Sequence, residues 1–560
     1  MAAFDETFDW VVVGAGAGSM SSGLLMRQAG KSVVILEKTK FAGGTTCKSG
    51  GVMWIPNNPF MDPGEDSTEK GITYLDAVVG DDSDAPGTTH EKRLAYVVEG
   101  PRMVDFLLRQ GVELERGSHF WPDYYDELPG GCKTSRTVTA KPFNKKELGA
   151  WASKLRQGFL EVPVRLDDGM KLQYAKDAWE YRWLFAKVAV RVVAGKLTGK
   201  HWVTAGAALQ GRMLQQALKR GIDIRLEAPV KELIVEDGKV TGVVTVKDGK
   251  PWRIGANLGV LVNAGGFAHN QEMRDRYMPG TRSEWSMTPE GDTGDMHREM
   301  ERHGGVLAQM DEMVGFQMTR APGWEKDYVA PGAQSITAKP HAILVDQTGV
   351  RYLNEGGSYE EYCERMVKRN LIAPATPSWA ILDQQYMDRY ALANGGAGKK
   401  IPADWRSSGY IKQADTIEDL AKLINVEPAT LKATVDRWNR FVDQDEDEDF
   451  HRGERQYDQW LGDLMRKGKA RTLGRIDKTP FYAVDVVPGD VSTYGGVVTD
   501  ANSRVLRGDG TPIEGLYATG VSTASPMGRV YPGAGASVGP SMTFGWIAAK
   551  HAAGIDNIPL

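Results

Sequence analysis

Cysteine is nearly absent: three residues, Cys47, Cys132 and Cys363, are scattered through 560. Thiols so few and so far apart support neither a disulfide framework nor a cysteine-based zinc site, and they point to a reducing compartment. No run of 18 apolar residues occurs, so no transmembrane helix is expected. No charged-then-apolar leader precedes the first glycine turn, so no signal peptide is expected and the cytoplasm is the expected location. An excess of either charge is also lacking: the formal net charge is −5, which disfavours a nucleic-acid partner. No internal repeat is found. The remainder is ordinary globular material, 41% apolar and 25% charged, in a chain long enough for two domains.

The most informative segment is Asp9-Trp-Val-Val-Val-Gly-Ala-Gly-Ala-Gly-Ser19, a strand running into a glycine-rich turn. A helix over residues 20–29 follows, then a second apolar run, Val33–Leu36, that ends in Glu37. Gly14 and Gly16 allow a tight turn and close approach of the backbone to a pyrophosphate, the helix offers free N–H groups, and Glu37 accepts from a ribose hydroxyl. The first part of a dinucleotide cradle therefore spans Gly14, Ala15, Gly16, Ala17, Gly18 and Ser19, with Glu37 and Lys38 at the ribose. Ser19 stands at the third glycine position of the fingerprint, small enough for close helix–strand packing but a departure from the strict pattern.

Three further segments join this one. Gly43, Gly44, Thr45 and Thr46, with Ser49, Gly50 and Gly51, form a small-residue loop through which backbone donors can reach a flat or anionic ligand; a mobile surface turn is the alternative. Val260-Leu-Val-Asn-Ala264-Gly265-Gly-Phe267 is a strand entering a glycine pair. Ile513–Gly520 is another, followed by Tyr531-Pro-Gly-Ala-Gly-Ala536-Ser537-Val538 and a helix over residues 539–553. Strands ending in glycine near positions 14, 265 and 520 predict one sheet assembled from the whole chain, an α/β, Rossmann-like and discontinuous dinucleotide-binding domain.

The phrases Val11–Ser19, Glu37, Gly43–Thr46, Asn263–Gly266, Arg351-Tyr-Leu-Asn-Glu355 and Gly515–Gly520 resemble the FAD-dependent fumarate reductase and ketosteroid dehydrogenase superfamily. The resemblance implies noncovalent FAD, since no His-flavin linkage motif accompanies the loop at Gly43. It also implies an FAD domain built from residues 1–315 and 487–560, and an inserted α+β substrate domain over residues 316–486. Within the superfamily, fumarate reductases place arginines where this chain has Tyr359 and Tyr531. Exchanging guanidinium forks for phenols removes the best bidentate anion partners and favours neutral oxygen substrates. Arg529 remains nearby as a candidate anion partner.

These substitutions, with Tyr531-Pro-Gly-Ala-Gly535 and Trp121-Pro-Asp-Tyr124-Tyr-Asp-Glu-Leu-Pro-Gly-Gly131, resemble the 3-ketosteroid Δ1-dehydrogenase branch. By that resemblance the Tyr531 hydroxyl and the Gly535 N–H polarise the 3-keto oxygen, as an oxyanion hole does for an enolate. Tyr359 takes the C2 proton, and Tyr124 stabilises the phenolate of Tyr359. Trp121, Tyr125 and Pro532 contact the steroid. The implied reaction is 1,2-desaturation of a 3-ketosteroid, with electrons leaving for an external, quinone-like acceptor. Δ4-(5α)-dehydrogenation, a fumarate-reductase-like reaction and a non-catalytic FAD electron-transfer module are the alternatives. Each tyrosine could instead be a packed ring, and Tyr125, beside Tyr124, competes for its role.

No metal site is expected. The acid run at residues 443–449 reads as a solvated turn. Roughly fifty extra residues precede Ala205, and within them residues 176–202 carry Trp179, Tyr181, Trp183, Phe185 and Trp202 among Arg182, Lys187, Arg191, Lys196 and Lys200. As a helix, Lys176, Glu180, Lys187 and Arg191 fall on one arc and Phe185, Ala186, Val188, Ala189, Val192 and Val193 on the other. Two destinations fit: the inner face of the cell membrane, as a peripheral contact, or a protein surface.

Overall fold

Successive residues of the first strand, Glu6–Val13, point to opposite faces of a sheet, and both faces are apolar. Trp10 and Val12 enter one core and Val11 and Val13 another, so the strand is covered on both sides. The computed structural model describes residues 4–80, 85–117, 121–158, 160–322, 334–393, 398 and 400–555. Around the first strand the sheet runs in the order Arg504–Leu506, Pro512–Ala518, Lys250–Val262, Glu6–Val13, Val33–Leu36, Asp223–Arg225. All neighbours in this order are parallel except the first pair. The strands that end near Gly14, Gly265 and Gly520 are thus three adjacent members of one sheet, and their glycine turns open at the same edge.

The opening helix spans Ala17–Gln28 and so starts three residues before its expected position, directly after Gly16. Close packing against the rest of the domain falls on Gly18, not Ser19. A Cβ on Gly18 would lie 2.4 Å from the Ser541 carbonyl oxygen, and one on Gly545 2.3 Å from the Gly18 carbonyl oxygen, both on or facing the C-terminal helix Val538–Ala552. The Ser19 hydroxyl acts elsewhere, donating to Asn263 Oδ1 at 3.0 Å. Asn263 Nδ2 donates in turn to the Thr519 carbonyl at 3.1 Å and to Ser541 Oγ at 3.2 Å. One amide therefore ties together the three glycine turns that sequence separates by about 250 residues each.

A second, antiparallel sheet runs Ala342–Val345, Ser378–Leu382, Phe481–Val486, Ile411–Ala414. Beside it the acid run departs from expectation at Asp447, which is fully buried. Arg351 pairs with Glu355 at 2.7 Å and Asp447 at 2.9 Å, and Arg452 reaches Glu355 at 3.2 Å. Two buried guanidinium groups need two carboxylates, and Glu355 alone cannot neutralise both. The Arg351–Glu355 motif is a structural anchor: Glu355 also accepts from the Leu344 N–H at 3.0 Å, on the edge of the second sheet.

The extra segment does form a helix, Trp179–Leu197, but its faces differ from those expected. Val188 and Gly195 are buried and Leu184 and Val192 half-buried, so Val188 and Val192 face the protein. The exposed apolar stripe is Trp179, Trp183, Ala186, Val190, Val193 and Leu197, alternating at spacings of four and three. Leu197 is 83% and Trp179 79% exposed. The preceding turn anchors the segment: the Tyr174 hydroxyl donates to the Gly462 carbonyl and accepts from Lys339 Nζ at 3.1 Å.

Candidate active site

A single elongated cavity begins at the glycine turns. Its first half is walled by residues 14–17, 37–39, 44–46 and 49–52, by Ala264, Gly265 and Gly266, and by Ser537 and Val538. The opening helix presents its N-terminus here with no N-cap side-chain bond and no acidic residue in its first turn; the Ser19 N–H is given to Asn263 Oδ1 at 3.2 Å, and the positive helix end is left for an anion. Glu37 lies at the far end, its Oε2 accepting from the Ala15 N–H at 3.1 Å and its Oε1 from Thr39. Gly43, with φ +111°, precedes a short helix, Gly44–Lys48, rather than a mobile turn. These residues fit an extended dinucleotide.

Five residues expected at the cofactor stand behind this wall. Gly18 and Ser19 face the C-terminal helix and Asn263 as described. A Cβ on Gly43 would meet Cys47 Sγ at 2.8 Å, and one on Gly520 would meet Asn263 Nδ2 at 2.6 Å. The Ala536 N–H donates to the Gly533 carbonyl at 3.1 Å. They hold the backbone close to itself, which is why small residues recur beyond the strict fingerprint.

The second half of the cavity is lined by Trp121, Tyr124, Leu166, Phe316, Tyr359, Tyr457, Trp460, Leu461, Val491 and Tyr531. Three tyrosines from distant segments meet there. The Tyr359 and Tyr124 rings are 5.5 Å apart, Tyr359 and Tyr531 5.5 Å, and Tyr124 and Tyr531 5.9 Å. Burial pushes the Tyr359 phenol well above its usual range, with the nearby Tyr531 phenol adding to the rise and the Tyr124 hydroxyl, acting as a donor, opposing it. Burial raises Tyr531 as well, against hydrogen bonds from Ser537 and Tyr359 and the Gly535 N–H. The Tyr531 oxygen also accepts from the Ser537 N–H at 3.2 Å.

Local structure explains each position. Tyr359 opens the helix Tyr359–Asn370, whose N-cap Ser358 accepts from the Glu361 N–H at 3.2 Å. The Tyr124 N–H and the Tyr74 hydroxyl both donate to the Pro532 carbonyl, at 3.0 and 2.7 Å. Beneath them Arg136 pairs with Asp123 at 2.6 Å and Asp66 at 2.7 Å, and Trp54 Nε1 donates to Asp123 at 2.7 Å. The glycines after Tyr531 are demanded by this floor. A Cβ on Gly533 would lie 2.4 Å from the Trp54 ring; Gly535 has φ +93° and a Cβ there would lie 2.3 Å from the Val52 carbonyl oxygen.

Two expected substrate contacts are displaced. Pro532 is absent from the cavity wall, and its carbonyl serves as the staple just described. Tyr125 points the other way from Tyr124 and lies under the Arg455 guanidinium at 5.2 Å. Trp121 does line the cavity, 5.2 Å from Trp460. Tyr124→Phe is therefore expected to lower kcat about tenfold or more, the worth of one hydrogen bond to a developing phenolate, and Tyr125→Phe to leave it near the wild-type value. An equal or larger loss at Tyr125, in steady-state assays, would overturn this placement. Arg529, the remaining anion candidate, is occupied by Asp311 at 2.8 Å and by Glu312. His269 Nε2 is 2.9 Å from the Thr288 carbonyl.

Sequence reasoning missed Phe316, Tyr457, Trp460, Leu461 and Val491, which sit in segments without a motif. Among the lining residues the two cations, Lys38 and Arg156, both belong to the Glu37 end; the tyrosine end has none.

Comparison with known proteins agrees with this geometry. The profile of a family described as FAD binding domain matches residues 9–538. A 3-oxosteroid 1-dehydrogenase of Mycobacterium tuberculosis is 36% identical over 566 residues, covering 98% of each chain. A 4-oxocyclohexanecarboxylate 2-dehydrogenase of Sinomonas cyclohexanicum is 33% identical over 98% of this chain and 93% of its own. The crystal structure of 3-ketosteroid Δ1-dehydrogenase from Sterolibacterium denitrificans, in complex with 1,4-androstadiene-3,17-dione, superposes with a TM-score of 0.91 at 32% identity, covering 98% of this chain and 100% of that one. The chain is an FAD-dependent oxidoreductase and belongs to the 3-oxosteroid 1-dehydrogenase family.

Proposed function

We propose that this enzyme introduces the 1,2 double bond into ring A of 3-ketosteroids. The observation that carries this reading is the second half of the cavity: three phenols with rings 5.5–5.9 Å apart in an aromatic wall that holds no cation among the described lining residues. FAD, when bound in the first half, supplies the hydride acceptor. The Tyr531 hydroxyl and the Gly535 N–H hold the ketone oxygen and stabilise the charge that builds on it as the alpha proton leaves. Tyr359 receives the C2 proton, and Tyr124 donates to its oxygen. Residues 1–315 with 487–560 form the FAD domain in this reading, residues 316–486 carry the base, and the cofactor is held noncovalently.

The two kinds of relative differ in what the substrate end must hold. A carboxylate buried without a cation is strongly disfavoured, and Arg529 is already paired, so a free oxocyclohexanecarboxylate is poorly matched and a neutral steroid well matched. Assays with a quinone-like acceptor on 3-ketosteroids, 4-oxocyclohexanecarboxylate and dicarboxylates test this. Turnover of the acid at a rate equal to that of the steroid would refute it.

We also infer a peripheral contact with an anionic membrane surface. The exposed stripe of Trp179, Trp183, Val190, Val193 and Leu197 is flanked by Arg182, Lys187, Arg191 and Lys196, a face suited to the boundary of acyl chains and headgroups. No described helix is long and apolar enough to cross a membrane. Each large aromatic buried in the interface contributes about 1.5–3 kcal/mol, so Trp179→Ser with Trp183→Ser should abolish flotation with anionic vesicles while FAD stays bound. High salt should weaken the wild-type contact without ending it. Wild-type protein that fails to float with anionic vesicles at every ionic strength would rule this out.

A further inference from the structure

The FAD phosphates are anions, and the dinucleotide half of the cavity holds two cationic side chains that differ in their partners. Lys38 Nζ is already neutralised by Asp295 at 2.9 Å and bonded to Thr293 Oγ1 at 2.9 Å. Arg156, more than a hundred residues from the glycine fingerprint, lines the same cavity. Its Nη2 donates to Thr39 Oγ1 at 2.9 Å. Its Nε is buried with no partner, and among the described residues no carboxylate lies within ion-pair distance of it.

The position of Arg156 is built rather than incidental. Its N–H donates to the Ala42 carbonyl at 3.0 Å, and the Ala42 N–H donates to the Lys154 carbonyl at 2.9 Å. The Cys47 thiol donates to the Arg156 carbonyl at 3.2 Å. The segment is thus stitched along the small-residue loop that walls the cofactor. The guanidinium rests 5.6 Å from the Phe41 ring centroid, and Thr39, its partner, also donates to Glu37 Oε1 at 2.8 Å. A half-buried guanidinium held by a backbone bridge, an aromatic face and one hydroxyl, with its buried Nε unpartnered, is preorganised for an anion.

We propose that Arg156 is the charge-bearing cofactor contact at the Glu37 end of this cradle, attracting the phosphate charge of bound FAD from that end and complementing the N-terminus of the opening helix. Asp292 supports the placement. This carboxylate lines the same half of the cavity, and burial pushes it up to about 7, with Lys38 and Arg156 opposing that rise and Glu37 adding to it. Arg156 is thus close enough to act on a charge held in this half of the cavity.

The test follows FAD release from the holoenzyme, read as recovery of free FAD fluorescence after dilution over a series of salt concentrations. Arg156→Gln should release FAD about tenfold faster than wild type at low salt, with a shallower salt dependence, because the screened attraction is gone. Arg156→Lys should fall between the two. Release from Arg156→Gln within twofold of wild type, with the same salt slope, overturns the proposal. So does equal acceleration in the Gln and Lys variants with an unaltered salt slope, which would show that shape and not charge is at work. Wild-type protein purified without any flavin would contradict FAD binding itself, a separate and distinguishable result.

Discussion

Tyr359→Phe is expected to lower kcat by roughly 10²–10⁴-fold, the range of a lost general base, while steroid binding, read from perturbation of the flavin spectrum, persists. The ring remains to pack against Tyr124, Phe316 and Tyr531; only the oxygen that receives the C2 proton is gone. The pH profile gives a second readout. Burial raises the Tyr359 pKa well above its usual value of about 10, so the proton-accepting form is scarce at neutral pH and grows as pH rises. In the wild-type enzyme kcat/KM should therefore climb from about pH 7 to about pH 10, and in Tyr359→Phe that climb should vanish. A variant that turns over at a near-normal rate, or keeps the full climb, would exclude Tyr359 as the base.

Tyr531→Phe should cost roughly 10²–10³-fold in kcat, about 3–4 kcal/mol, as expected for one donor of an oxyanion hole. The missing bond strengthens only as charge builds on the ketone oxygen, so ground-state affinity should change little. The two variants separate by their pH behaviour: Tyr531→Phe retains Tyr359 and should keep the rise with pH, displaced to lower pH because the neighbouring phenol that raises Tyr359 is gone. In the wild-type enzyme the Ser537 N–H and Oγ both lie against the Tyr531 oxygen, at 3.2 and 2.9 Å, and fix its position. Loss of less than about tenfold would remove Tyr531 from the oxyanion role.

Legibility differed between the two halves of the cavity for physical reasons. The dinucleotide half is made of backbone, and backbone geometry is governed by which consecutive residues are glycine. Gly14, with φ +93° and a would-be Cβ 2.2 Å from the Asn263 carbonyl oxygen, admits no other residue, so the turn is marked in the letters themselves. The tyrosine half is made of side chains brought in from the turn around Tyr124, the start of a helix at Tyr359 and the loop after Arg529. Their identities could be carried by resemblance, but their directions could not. Tyr124 and Tyr125 are indistinguishable as neighbours in a string, and only the Tyr74 and Pro532 staple turns the first into the cavity and the second toward Arg455.

The same division holds for charge and exposure. Residues 176–202 are readable as a candidate amphipathic helix; that Trp179–Leu197 is helical, and which face turns inward, is set once Tyr174 is fastened to Gly462 and Lys339. The acid run has the letters of a solvated turn, and Asp447 left it for the interior because Arg351 and Arg452 are buried beside it. Read alone, the order of residues determined the parallel sheet, the glycine cradle, the acid at its end and the phenols in place of arginines, because each depends on local sterics or on residue type. Which small residue packs, which tyrosine enters the cavity, which arginine stays unpaired and which face of the added helix meets solvent were decided by contacts between segments up to hundreds of residues apart, where the geometry exists only once the chain has closed on itself.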